Sequence, residues 1–151
     1  MAQIRGKALS GDSRERRTSI LAWMRLARVF AKMQRAAAVQ LRRWDLSVAH
    51  FDVLVQTGLA EGLTQRELAE RLLITKGNLS QLLDKMERDD LLARCREGRV
   101  NCLHLTPRGR ALYDEVLPAR QDMVEATFAP LSAEERATLL ALLRKLDLAL
   151  D

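Results

Sequence analysis

Two helix starts stand close together at Thr64 and Thr75, and nothing else in the sequence narrows the fold as much. Glu67 follows Thr64 by three residues, the spacing at which hydroxyl and carboxylate each satisfy an orphan backbone N–H at a helix head. Leu63 ahead of this cap and Leu68 behind it are placed to staple the entry of the chain. The helix so predicted, Gln65–Leu72, carries Leu68, Ala69 and Leu72 on one side. The chain restarts within three residues, with Thr75 capping a second helix from Lys76 to about Arg88. Leu79, Leu82, Leu83 and Met86 follow the i, i+3, i+4, i+7 pattern of a buried stripe. Two short helices joined by a tight turn, the second with a polar outer face, make a helix-turn-helix.

The flanking segments extend this unit. Leu91–Arg96 and Val100–Thr106 alternate as strands do around Glu97-Gly98-Arg99, predicting a β-hairpin, or wing, that carries Arg94, Arg96 and Arg99. Upstream, Ile20, Trp23, Ala27, Phe30, Met33, Ala37 and Leu41 mark a long helix from about Thr18 to Trp44, its stripe too narrow to be buried without a partner helix. A shorter helix runs from Val48 to Gly58. Downstream, Pro107 and Gly109 lead into a helix from about Arg108 to Phe128, with Pro118 expected to kink or break it. Ser132 and Glu135 form a second capping box for a last helix, about Ala133 to Leu148, with Leu139, Leu143, Leu146 and Leu150 along its seam. Only three prolines and seven glycines interrupt the chain. The expected fold is therefore mainly α with a small β-hairpin wing, a winged helix-turn-helix flanked by long N- and C-terminal dimerisation helices. It divides into a flexible tail (1–17), an N-terminal helix (18–47), a DNA-binding lobe (48–108) and C-terminal helices (109–151).

Charge separates along the chain. Residues 1–44 hold 11 bases against 2 acids, and residues 64–110 hold 10 against 7, whereas residues 45–63 and 111–151 are net acidic. Basic charge thus gathers on the first helix and the helix-turn-helix, as phosphate binding needs. No apolar run reaches the roughly 20 residues of a membrane span, and no signal-peptide pattern follows the basic N-terminus. Two cysteines, Cys95 and Cys102, make no disulfide framework, and no Cys/His cluster has zinc spacing. His50 and His104 lack a nucleophile at recognisable spacing, and no phosphate-loop or dinucleotide motif occurs. The expectation is a cytoplasmic protein with reduced thiols, no cofactor, no metal and no enzymatic activity.

The stretch Leu63–Gly109, LTQRELAERLLITKGNLSQLLDKMERDDLLARCREGRVNCLHLTPRG, resembles the core of the MarR (multiple antibiotic resistance regulator) family. The capped helix, the recognition helix TKGNLSQLLDKMER, the arginine wing and the closing Leu105-Thr106-Pro107-Arg108-Gly109 each match, and the long flanking helices extend the match over roughly residues 18–150. The resemblance implies a homodimeric regulator on a pseudo-palindromic operator in double-stranded DNA, with small aromatic molecules bound between dimerisation helices and DNA-binding lobe. Two departures stand out. The family's wing tip usually carries Asp-x-Arg, where this shorter hairpin has Glu97-Gly98-Arg99. Asp90 stands where a glycine often ends the recognition helix, and aspartate tolerates the left-handed conformation better than most residues.

The helix face opposite Leu79, Leu82, Leu83 and Met86 presents Gly77, Ser80, Gln81, Asp84, Lys85 and Arg88, with Lys76 and Asn78 at its edge. Gln81 and Asn78 suit adenine and Lys76 suits guanine or phosphate. Asp84, awkward beside phosphate, is expected to pair with a wing arginine. The candidate DNA contacts are Thr64, Gln65, Thr75, Lys76, Asn78, Ser80, Gln81, Lys85, Arg94, Arg96 and Arg99. Trp23, Trp44, His50 and Tyr113 are the candidates to line a ligand cleft, each with a core or boundary position as its alternative. Four alternatives stay open: a protein-interaction module on the same fold, an activator in place of a repressor, a redox-responsive regulator acting through Cys95 and Cys102, and packing of the apolar stripes within one chain.

Overall fold

Both helix starts form where the sequence places them. The computed structural model describes residues 9–60, 62–97 and 100–150, and the chain parts into two units between Gln40 and Leu41. In the larger unit, Thr64 caps α3 (Gln65–Leu72) with a complete capping box: the Glu67 N–H donates to Thr64 Oγ1, and Glu67 Oε2 accepts the Thr64 N–H at 2.9 Å. Thr75 caps α4 (Lys76–Arg88), its hydroxyl accepting the Asn78 N–H at 3.3 Å. Leu73, in the turn between them, takes a left-handed backbone with φ 53°.

The helix α2 (Val48–Leu59) is capped by Ser47, which the sequence reading does not single out. Three strands make one antiparallel sheet in the order β1-β3-β2. The wing strands β2 (Leu92–Glu97) and β3 (Val100–Leu105) pair from Leu92↔Leu105 to Glu97↔Val100. The third strand, β1 (Leu63–Thr64), was not expected; it pairs Leu63 with Leu103 and Thr64 with Cys102, tying the head of α3 to the wing. The core lies among these elements. Leu54, Leu68, Leu83 and Leu103 are fully buried, with Phe51, Leu79, Met86, Leu92 and Val116 beside them. Each such side chain contributes about 1.5–3 kcal/mol of hydrophobic stabilisation.

Asp90 ends the recognition helix as its chemistry predicts. Its φ is 56°, and the Leu91 N–H reaches back to the Met86 carbonyl at 2.9 Å, closing the last turn. The Thr106-Pro107-Arg108-Gly109 segment then docks on this stop. The Thr106 N–H donates to the Leu91 carbonyl, its hydroxyl donates to the Asp90 carbonyl, and the same hydroxyl accepts the Gly109 N–H. Gly109 meets the Leu91 carbonyl so closely that a Cβ there would lie 1.8 Å from its oxygen.

Two expectations need correction. The helix α5 (Pro107–Phe128) passes through Pro118 without a break. Pro118 is exposed, so the carbonyl that loses its N–H partner can turn to water. The final helix α6 (Ala133–Asp147) carries its expected capping box. In the smaller unit, α1 (Leu9–Leu41) begins well before Thr18, inside the stretch read as a flexible tail. Arg14, Glu15, Arg16 and Arg17 favour helix, which outweighs the glycine at position 11. A short 3₁₀ turn, Arg42–Trp44, follows α1 and occupies the last residues expected of that helix. No helix among the described residues is long and apolar enough to cross a membrane.

Candidate nucleic-acid interface

The core grips one side of α4 and leaves the other bare. Leu79, Leu83 and Met86 are at most 1% exposed, whereas Lys76, Gly77, Asn78, Gln81 and Asp84 are exposed. A Cβ on Gly77 would meet nothing within 4 Å, so this part of the helix surface is open to close approach. The bare face lies at the helix N-terminus, where the dipole and unpaired N–H groups favour anions. Lys76, Asn78 and Gln81 thus combine donors, acceptors and positive charge on one accessible surface.

The other candidates on these two helices are placed differently. Thr64 and Thr75 spend their hydroxyls on caps, and Gln65 is half-buried at the first turn of α3. Ser80 is half-buried, its carbonyl 3.4 Å from an Arg94 nitrogen. Lys85 is drawn along the helix to Asp89, with Nζ–Oδ2 at 2.7 Å, and this pairing lowers the Asp89 pKa.

In the wing, Arg94 is held by two carboxylates of α4. Its guanidinium lies between Glu87 Oε2 at 2.6 Å and Asp84 Oδ1 at 2.8 Å, and its backbone N–H donates to Glu87 Oε1 at 3.1 Å. A side chain so paired, and only 26% exposed, is a strut that fixes β2 to α4. Asp84 pairs with a wing arginine as anticipated. Glu87, the stronger partner, escaped the sequence reading because seven residues and a chain reversal separate it from Arg94. Arg96 lies on β2 opposite Asn101; its side chain, and Arg99 entirely, fall outside the described residues.

The ligand candidates do not converge. A cleft of about 500 Å³ is lined by Trp44, Leu46, Arg88, Leu91, Arg108 and Leu112 among others, and Trp44 Nε1 donates to Glu115 Oε1 at 2.8 Å at its edge. His50 and Tyr113 are not among its lining residues. The His50 ring hydrogen-bonds the Ser47 hydroxyl, and burial, aided by the nearby Lys85 charge, lowers its pKa. Tyr113 is buried against Gly58, with Arg110 stacked over its ring at 5.1 Å. Trp23 belongs to the smaller unit, where it is 67% exposed.

The profile of the MarR family matches residues 44–100, from the turn before α2 into the wing. An HTH-type transcriptional regulator of Bacillus anthracis is 32% identical over 120 residues, covering 80% of this chain and 82% of the relative. The chain belongs to the MarR family. Solved MarR-family structures agree with the fold. A mutant MarR from E. coli in complex with operator DNA has a TM-score of 0.77 at 28% identity, covering 85% of this chain and 95% of that one. A MarR-family protein of Mycobacterium tuberculosis in complex with salicylic acid has a TM-score of 0.64 at 27% identity, covering 80% and 92%. Within this MarR-family member, the Thr106–Gly109 segment and the Asp90 stop have the physical job described above: they lock the end of α4 to the start of α5.

Proposed function

We propose that this chain is a homodimeric, sequence-specific repressor that reads a pseudo-palindromic site in double-stranded DNA. The observation that carries the reading is the division of α4, with its apolar side locked in the core and Lys76, Asn78 and Gln81 bare at its N-terminal half. A helix so presented fits the major groove, where Gln81 and Asn78 can pair with adenine and Lys76 with guanine or phosphate. The heads of α3 and α4, with Thr64, Gln65 and Thr75, supply backbone N–H groups for flanking phosphates. Arg96 and Arg99 reach the minor groove or its phosphates from the wing, while Ser80 and Lys85 serve at the margin.

The exposed apolar stripes of α1 and α6 form the dimer interface, which sets two recognition helices one DNA turn apart. Release by a small aromatic ligand belongs to the same reading. It is supported by the Trp44 cleft and by the salicylic acid complex of a relative. The activity is regulatory, not catalytic, and its place is the cytoplasm with the DNA.

Selection from random duplex DNA, with Gln81→Ala alongside, tests this function. The expected result is an inverted repeat with half-sites about one turn apart. Gln81→Ala should lose preference at one position per half-site, worth about 1–3 kcal/mol of discrimination. A bound pool that stays random, or no binding at low salt, overturns the reading and favours a protein-interaction module.

A further inference from the structure

The charges of α1 are sorted by face. Arg14, Arg17, Arg25, Arg28, Lys32 and Arg35 follow one another by three, four or eight residues, and Leu21 stands in the gap of the longest step. At about 100° per residue the six share an arc of about 80° on the helix surface. All are exposed, and among the described residues none of them is in an ion pair. The two acids of the helix, Asp12 and Glu15, lie off this row. From Arg14 to Arg35 the row runs about 32 Å, at about 1.5 Å per residue.

Such a row has a cost. Charges of one sign three and four residues apart repel and weaken a helix, and a face that meets only water commonly alternates the sign. A polymer of closely spaced negative charge relieves the repulsion, and duplex DNA presents one phosphate charge per about 1.7 Å of its axis. Five of the six bases are arginine, whose planar fork matches phosphate oxygens better than an ammonium does. A lipid surface fits less well. A helix lying on anionic lipid turns its apolar face into the same surface that its bases meet. On α1, Trp23 and Phe30, 67% and 60% exposed, lie on the side opposite the bases and so face away from anything the row binds.

We propose that the basic row of α1 is a second, sequence-independent site for the phosphate backbone of duplex DNA. It belongs to the smaller unit and uses only charge and arginine hydrogen bonds. The phosphates come from DNA that flanks the recognised sequence or from a second duplex; the chemistry at the row is the same. Each base that neutralises a phosphate displaces a counterion, so the row makes binding steeper in salt without adding preference for sequence. Binding at the row does not rest on the recognition by α4 proposed above.

The test measures binding of the full chain to random-sequence duplex DNA over a range of salt, beside Arg25→Gln/Arg28→Gln/Lys32→Gln. The variant should lose about 3 from the slope of log affinity against log salt, and on the order of tenfold or more in affinity at low salt. It should keep the sedimentation mass of the unaltered chain and the base preference that Gln81→Ala removes. Arg25→Lys with Arg28→Lys should keep the slope, because the charge is retained. Arg14→Gln with Arg17→Gln, ahead of the apolar stripe that starts at Ile20, should lose about 2 from the slope; this pair decides the matter should the triple variant assemble differently. A loss seen only on duplexes longer than the selected repeat assigns the phosphates to flanking DNA. Capture of a free labelled duplex by an immobilised one, lost in the variant, assigns them to a second duplex. Equal slopes would overturn the site, as would binding to phosphatidylserine vesicles or polyglutamate that exceeds binding to DNA and is lost in the variant. A protein that selects no sequence yet keeps the slope difference would defeat recognition by α4 and leave the row standing.

Discussion

Three residues in or beside the helix-turn-helix sit where the backbone makes an unusual demand, and they meet it differently. Asp90 and Leu73 both hold left-handed conformations, with φ of 56° and 53°, and Gly109 gives up a side chain to let the Leu91 carbonyl approach. Asp90 suits its position, since aspartate visits this region at modest cost. Leu73 does not. A left-handed leucine costs about 1–2 kcal/mol relative to glycine, and at 92% exposure it recovers nothing by packing. Leu73→Gly is therefore expected to stabilise the fold by about 1 kcal/mol, once the greater freedom of glycine in the unfolded chain is discounted. The readout is a higher urea midpoint at an unchanged slope. A lower midpoint would mean that the leucine makes a contact in solution which outweighs its strain.

At the scale of elements, legibility followed from how local the governing interaction is. The bounds of α3 and α4 were readable because caps and apolar steps lie within a few residues of the helices they define. The two-residue strand β1 was not, since only its pairing with Leu103 and Cys102, some forty residues on, makes it a strand. The pairing of Arg94 with Glu87 was hidden for the same reason. An arginine on a wing reads as a free cation until Glu87 and Asp84 are seen to pair with it. On the candidate surface, helical geometry alone was enough to put Lys76, Asn78 and Gln81 on the exposed side of α4, whereas Trp44, His50 and Tyr113 depend on tertiary packing that no spacing encodes. The strut makes its own prediction. Arg94→Met keeps much of the length and removes the charge, leaving two carboxylates side by side on α4 without the cation they share. Stability should fall by about 1–2 kcal/mol, and adding Glu87→Gln should restore part of it because the two residues are coupled. Denaturant titrations of both single variants and the double variant measure that coupling; strictly additive losses would show that the pair is not a joint.

For the whole molecule, the decisive fact is how much apolar surface remains uncovered. On α1, Leu21, Trp23, Met24 and Phe30 are each more than half exposed, and on α6 and its C-terminal end so are Leu142, Leu146 and Leu148. Exposed apolar residues along two helices exceed what single scattered residues explain, which supports the proposed dimer interface there. Dimerisation would supply that cover and would also tie binding at one half-site to binding at the other. The second contact then becomes intramolecular, which multiplies affinity without any new interaction. Trp23→Asp, at a position 67% exposed in the smaller unit, should give a folded monomer. Sedimentation should show half the mass, the melting temperature should lose its dependence on protein concentration, and operator affinity should fall by roughly a hundredfold or more. Should Trp23→Asp remain a dimer with full affinity, the stripe is covered within its own chain, and the interface must be sought along α6.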